Sequence, residues 1–150
     1  MSTVKKVLFV CVHNSARSVM AEAFLNNLAS DRFEAHSAGL EPGELNEDVV
    51  KVMAEIGIDV SSKKPQSAFD LFKTGRTFAY IITVCDGANA ERCPVFPGIN
   101  QRIHWSFEDP SQFKTIENEK ERLSRVRSIR DSIKTKIEEW IKNSGKVGIR

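Results

Sequence analysis

The chain is predicted to adopt a single-domain α/β fold over residues 1–150, with a parallel sheet covered by helices on both faces. Short apolar runs rich in β-formers alternate with stretches of helical period along the whole length. No repeat, low-complexity tract or linker-like stretch interrupts them. The 150 residues, 41% hydrophobic and 28% charged, are enough to bury one sizeable core.

Val7 to Val10 is continuously apolar and reads as a buried parallel strand. Ser15 to Ala29 follows as a helix, with Met20, Ala23, Phe24 and Leu28 at helical spacing. Phe33 to Ser37 suits a second strand, ended by Ala38-Gly39. Asn46 reads as an N-cap, with Glu47 and Asp48 favoured by the helix dipole. Val49, Val50, Val52, Met53 and Ile56 give that helix a buried face, and Gly57 is its stop. A short helix is expected from Ser67 to about Lys73, and the clearest central strand from Phe78 to Val84. Asp86 to Gly98, with Gly87, Asn89, Pro94, Pro97 and Gly98, reads as loop, and Gln101 to Trp105 as a fourth strand candidate. A last helix is expected from Thr115 to Asn143, with Gly145 just beyond.

In parallel sheets of this kind ligands bind beyond the carboxyl ends of the strands, where the winding direction switches. Cys11 stands at the end of the first strand and opens Cys11-Val12-His13-Asn14-Ser15-Ala16-Arg17-Ser18, of the form C-x5-R-S. Six residues between strand and helix allow successive main-chain N–H groups to point at one centre, an anion-binding nest at a helix N-terminus. Arg17 adds a planar fork suited to two oxygens of a tetrahedral anion. The same positive field favours a Cys11 thiolate, the nucleophilic form. The loop has no glycine, so His13 and Asn14 are the expected positions of positive φ. Ser18 is placed to donate to Cys11, and Ser15 to orient the loop. Asp109-Pro110 is the second element: proline holds Asp109 extended, and a carboxylic acid aimed at the loop would protonate a leaving oxygen.

Cys85 and Cys93 complete the cysteine set. An odd number in a chain with no visible targeting segment argues against a disulfide framework and for a cytoplasmic protein. Cys85 ends a strand and is compatible with a core thiol, whereas Cys93 lies in a polar segment where an inert buried thiol is less expected. A disulfide between them needs Cα atoms within roughly 7 Å, so the segment between must fold back. Metal binding by Cys11, His13, Cys85, Cys93 and His104 is a weaker reading, since no CxxC or paired-His spacing is present. His36 and His104 read as structural histidines, and the arginines at 122, 125, 127 and 130 as a solvated helix face. A net charge of +2, no aromatics interleaved with the basic stretch and no long apolar run leave no basis for nucleic acid or a membrane as partner.

CVHNSARSVMAEAF (Cys11 to Phe24), HSAGLEP (His36 to Pro42), ITVCDGANAERCP (Ile82 to Pro94), IHWSFEDP (Ile103 to Pro110) and RVRSIRDSIKTKIEEWI (Arg125 to Ile141) together resemble the thioredoxin-coupled arsenate reductases of the low-molecular-weight protein tyrosine phosphatase-like family. The resemblance spans nearly the whole chain. It implies a three-layer α/β/α domain with a four-stranded parallel sheet. It also implies that residues 12–18 hold arsenate while Cys11 attacks it, with Arg17 as clamp and Asp109 as proton donor. A Cys11–Cys85 disulfide and then a Cys85–Cys93 disulfide would follow, reduced from outside by thioredoxin, glutaredoxin or a small thiol. No tightly bound cofactor is implied; some family members bind potassium near residues matching Asn14, Glu22 and Ser37.

Three departures from the family pattern stand out. Ala16 replaces a further cysteine of many thioredoxin-linked members, His13 replaces the usual glycine two residues after the nucleophile, and seven residues separate Cys85 from Cys93, one more than usual. The alternatives are a phosphomonoester or tyrosine phosphatase working through phosphocysteine at Cys11, which needs neither Cys85 nor Cys93, and a non-catalytic oxyanion- or redox-sensing module.

Overall fold

The structure is a computed structural model that describes residues 4–147. It contains β1 (Lys5–Cys11), α1 (Arg17–Ala29), β2 (Phe33–Gly39), α2 (Glu47–Ala54), α3 (Ala68–Lys73), β3 (Tyr80–Thr83), α4 (Gly87–Ala90), β4 (Gln101–His104), a 3-10 turn (Pro110–Phe113) and α5 (Glu119–Val147). The four strands form one parallel sheet in the order β2-β1-β3-β4. β1 therefore lies between β2 and β3, and the winding direction reverses beside it. Its carboxyl end, where Cys11 sits, opens on the switch-point crevice.

Alternation along β1 sorts the core into two layers. Val7, Phe9 and Cys11 join the buried side chains of α1, α2 and α5, including Met20, Phe24, Val52, Met53, Val126 and Ile133. Leu8 and Val10 face the other way, against Ala68 and Leu71 of α3 and against Phe78, Cys93 and Phe96. A sheet buried on both faces explains why β1 reads as an unbroken apolar run rather than an alternating one.

Asn46 caps α2 as its chemistry predicts, accepting from the N–H groups of Asp48 and Val49 at 2.9 and 3.2 Å. Ser67 likewise caps α3.

Three expectations need correction, and one element was not anticipated. Asp86–Gly98 is not all loop, because the Asp86 side chain accepts from Asn89 N–H at 3.0 Å and starts one helical turn, α4. α5 runs through position 145 to Val147, so Gly145 is not its stop. The 3-10 turn begins where Asp109 accepts from Ser111 N–H at 2.9 Å, a local contact that apolar periodicity does not reveal. The arginine face of α5 is not simply solvated. Arg122 pairs with the buried Asp48 at 2.8 Å, and Arg130, itself buried, donates to Val52 O and Glu55. These contacts tie α5 to α2 and its C-cap.

Candidate active site

The Cys11 loop is shaped from outside. Its carbonyl oxygens are taken by the chain that follows β2: Leu40 N–H donates to Cys11 O at 3.0 Å, Glu41 N–H to Val12 O at 2.7 Å, Gly43 N–H to His13 O at 3.0 Å, and Asn46 N–H to Ser15 O at 2.9 Å. Four carbonyls drawn outward turn the opposite, N–H edge inward, as an anion nest requires. One of those amides, Asn14 N–H, donates to Cys11 Sγ at 3.2 Å. The first turn of α1 carries no acidic residue and no capping side chain, so its dipole and free amides remain available to an anion.

Asn14 is the only non-glycine residue at positive φ among the described residues, at 53°. His13 does not share this conformation. It is exposed, its Nδ1–H donates to Glu41 O at 2.9 Å, and the loop closes without a glycine at this point. The support that Asn14 requires is complete. Its Oδ1 accepts from Gln66 N–H at 3.0 Å, while its Nδ2 donates to Ser18 Oγ and Ser37 Oγ, both at 2.9 Å. The main-chain donor at Gln66 fixes which amide atom points where. Ser18 Oγ, with Asn14 already donating to it, has its own hydrogen left for Cys11 Sγ, 2.8 Å away. Two donors converge on the sulfur, an arrangement suited to a thiolate.

Ser37 Oγ links Asn14 to Glu22, and an ammonium reaches the same carboxylate. Ser37 Oγ donates to Glu22 Oε1 at 2.7 Å, and Lys63 Nζ lies 3.0 Å from the same oxygen and 3.3 Å from Ser37 O.

Gly39 is where β2 touches the loop. A Cβ there would lie 2.7 Å from Asn14 N and 2.8 Å from both His13 C and Val12 O, all main-chain atoms. Across the loop, Arg17 is 7% exposed, donates to Phe107 O at 3.3 Å and pairs with Asp109 Oδ2 at 3.5 Å. The acid from the Asp-Pro step thus stands beside the arginine of the loop.

Cys85 is fully buried on the same side of the sheet as Cys11, just past the end of β3. Val10 pairs with Thr83, and Val84 N–H donates to Val10 O at 2.8 Å, which brings the ends of the two strands level. Burial pushes the Cys85 thiol up to about 11; the Arg17 charge opposes this, while negative charge on Cys11 and Asp86 adds to it. Cys93, 4% exposed, packs instead on the opposite face of the sheet, where burial also raises its thiol. The expectation of a less buried Cys93 is therefore corrected. Cys11, His13, Cys85, Cys93 and His104 are not brought together as a metal set. His104 bonds to Thr83 and Ser106, and His36 to Glu34.

The sequence pattern of the family described as low molecular weight phosphotyrosine protein phosphatase matches residues 6–147. The chain belongs to this family. Among the relatives of this phosphatase-family chain, an arsenate reductase of Shouchella clausii is 36% identical over 137 residues, covering 91% of this chain and 94% of that protein. An arsenate reductase solved in its phosphate-binding state superposes with a TM-score of 0.72 at 27% identity, over 93% of this chain and 98% of the other. A thioredoxin-dependent arsenate reductase of Corynebacterium glutamicum superposes with a TM-score of 0.61 at 28% identity, over 91% of this chain and 63% of the other.

Within this phosphatase-family fold, reading the sequence missed Gly39, Lys63 and Gln66 as parts of the site. The spacing Ala38-Gly39 marked only a strand end. Gln66 and Lys63 are 52 and 41 residues from their partners Asn14 and Glu22, and no local pattern announces such contacts.

Proposed function

We propose that this member of the family reduces arsenate to arsenite, with Cys11 as nucleophile and a thioredoxin-like dithiol as the source of electrons. The observation that carries the proposal is a donor-lined Cys11 and a second buried thiol, Cys85, at the ends of adjacent strands on one side of the sheet. A phosphatase has no use for the second thiol.

The tetrahedral anion sits against the inward amides of Val12, His13, Asn14, Ser15, Ala16, Arg17 and Ser18, with the Arg17 guanidinium on two of its oxygens. Cys11 Sγ bonds to arsenic, and one oxygen leaves as water with its proton supplied by Asp109. Bond formation removes the negative charge from Cys11, one of the influences that holds Cys85 protonated. Cys85 then attacks Cys11 Sγ. The S–As electron pair passes to arsenic, As(V) becomes As(III), arsenite leaves, and a Cys11–Cys85 disulfide remains.

Cys93 next attacks Cys85 and frees Cys11. Cys85 and Cys93 belong to the two separate apolar clusters, so the segment from Asp86 to Cys93 must shift before the sulfurs come within bonding range. Its sole helix is the single turn α4, a small amount of structure to undo. The reductant then cleaves the Cys85–Cys93 disulfide, and the balance is arsenate plus two thiols giving arsenite, water and one disulfide.

Among the described residues no helix is long and apolar enough to cross a membrane. Free thiols and a dithiol reductant fit a cytoplasmic setting. Glutaredoxin or a small thiol would serve the same step chemically, and the assay distinguishes them.

The test is arsenate-dependent oxidation of NADPH with thioredoxin and thioredoxin reductase, repeated with glutaredoxin and glutathione. Steady turnover with arsenate supports the proposal; none with any reductant, alongside brisk hydrolysis of a small aryl phosphate, rejects it. In the same assay Asp109→Asn should lower kcat by about 10²-fold, the ordinary worth of a placed proton donor. A loss below about threefold would mean that water supplies the proton.

A further inference from the structure

We propose that Lys63 is a built-in counter-cation of the oxyanion loop, occupying the place where a potassium ion would otherwise sit against Glu22 and Ser37. The inference deepens the reading of this loop as an arsenate site and rests on it.

The contacts form one directed chain. Gln66 N–H holds Asn14 Oδ1, so both hydrogens of the Asn14 amide go to hydroxyl oxygens, those of Ser18 and Ser37. Each hydroxyl passes its own hydrogen onward, Ser18 to Cys11 Sγ and Ser37 to Glu22 Oε1. One branch ends on the nucleophile and the other on a carboxylate. The Glu22 side chain is only 21% exposed, and that of Lys63 15%. An unpaired carboxylate this far from water is costly, and its field opposes an anion arriving in the loop. Lys63 removes both difficulties.

With Lys63 in place, a potassium ion does not fit the same set. It needs several oxygens with free lone pairs, and here Asn14 Oδ1 is turned away to Gln66 N–H while Ser37 Oγ accepts from Asn14 Nδ2. The remaining oxygens, Glu22 Oε1 and Ser37 O, already receive Lys63 Nζ at 3.0 and 3.3 Å. The same main-chain oxygen also accepts from Gln66 Nε2 at 2.9 Å. Lys63 is thus a positioning residue. Through Glu22, Ser37 and Asn14 it sustains the one strained residue of the loop.

Phosphate affinity, measured by calorimetry on the full chain, tests this without requiring arsenate reduction. In wild type, phosphate affinity and the alkylation rate of Cys11 should agree within twofold between potassium chloride and choline chloride of equal ionic strength. Lys63→Met should bind phosphate about tenfold more weakly in choline chloride, as expected for a lost second-layer contact. Potassium should restore it saturably, because the vacated oxygens then accept an alkali cation.

Wild-type binding that strengthens with potassium would overturn the proposal, as would Lys63→Met binding like wild type in choline. If that variant does not fold, Lys63→Gln in the same two salts replaces it with the same expectations. Failure of wild type to bind phosphate in either salt would sink the loop reading itself. Binding without arsenate turnover would reject only the reductase assignment.

Discussion

Cys85→Ser is expected to lower arsenate turnover at least about a thousandfold while hydrolysis of a small aryl phosphate stays within about threefold of wild type. The two reactions share the Cys11 loop, Arg17 and Asp109, and they part at the fate of the Cys11 adduct. Water resolves a phosphocysteine. An arsenic adduct yields arsenite only if a second sulfur takes over the bond to Cys11, and a serine hydroxyl cannot form the disulfide that holds the two electrons. Cys93→Ser should fail one step later. It should release about one equivalent of arsenite and stall with the Cys11–Cys85 disulfide formed, a loss of two hydrogens that intact mass measurement detects. Wild-type turnover by both serine variants would refute the relay and leave phosphate ester hydrolysis as the activity of the loop.

Gly39→Ala, a change of one methyl group outside the catalytic set, is expected to cost about a hundredfold in kcat/KM. The added Cβ would meet three main-chain atoms of the loop at 2.7–2.8 Å, and none of them belongs to a side chain that could swing away. Either β2 retreats or the loop moves. Overpacking of this sort destabilises by about 1–3 kcal/mol, which a urea midpoint would register. Displacing the loop by about 1 Å misaims its amides and lowers kcat/KM by about 10²-fold. Wild-type phosphate affinity and an unchanged midpoint would show that the contact between β2 and the loop is slack.

The parts of this molecule that are legible in its sequence are those whose causes are local. β1 shows itself as an apolar run because both its faces are covered. Asn46 and Ser67 announce helix starts because capping is a matter of three or four residues. The seven residues from Cys11 to Arg17 predict a nest because strand, turn and helix N-terminus follow one another directly. Less legible is whatever the chain brings in from afar. By residue type His13 and Asn14 are equal candidates for strain, and only Asn14 carries it, because its stabilising donor at Gln66 arrives from the stretch leading into α3. The burial of Cys93 was equally hidden. The residues before it are polar, yet α4 and the return toward β4 place it in the apolar cluster of Leu8 and Phe78. Arg130 reads as surface for the same reason, since its partners Val52 and Glu55 lie on α2 and at its C-cap.

All three thiols are buried in the reduced protein, and the last of them faces away from the other two. Peroxide and stray electrophiles therefore find no ready target in Cys85 or Cys93. Only when an oxyanion has been captured and reduced does the backbone have cause to rearrange and offer a sulfur to a partner. The burial that spares those two thiols is thus the same burial that the relay must undo.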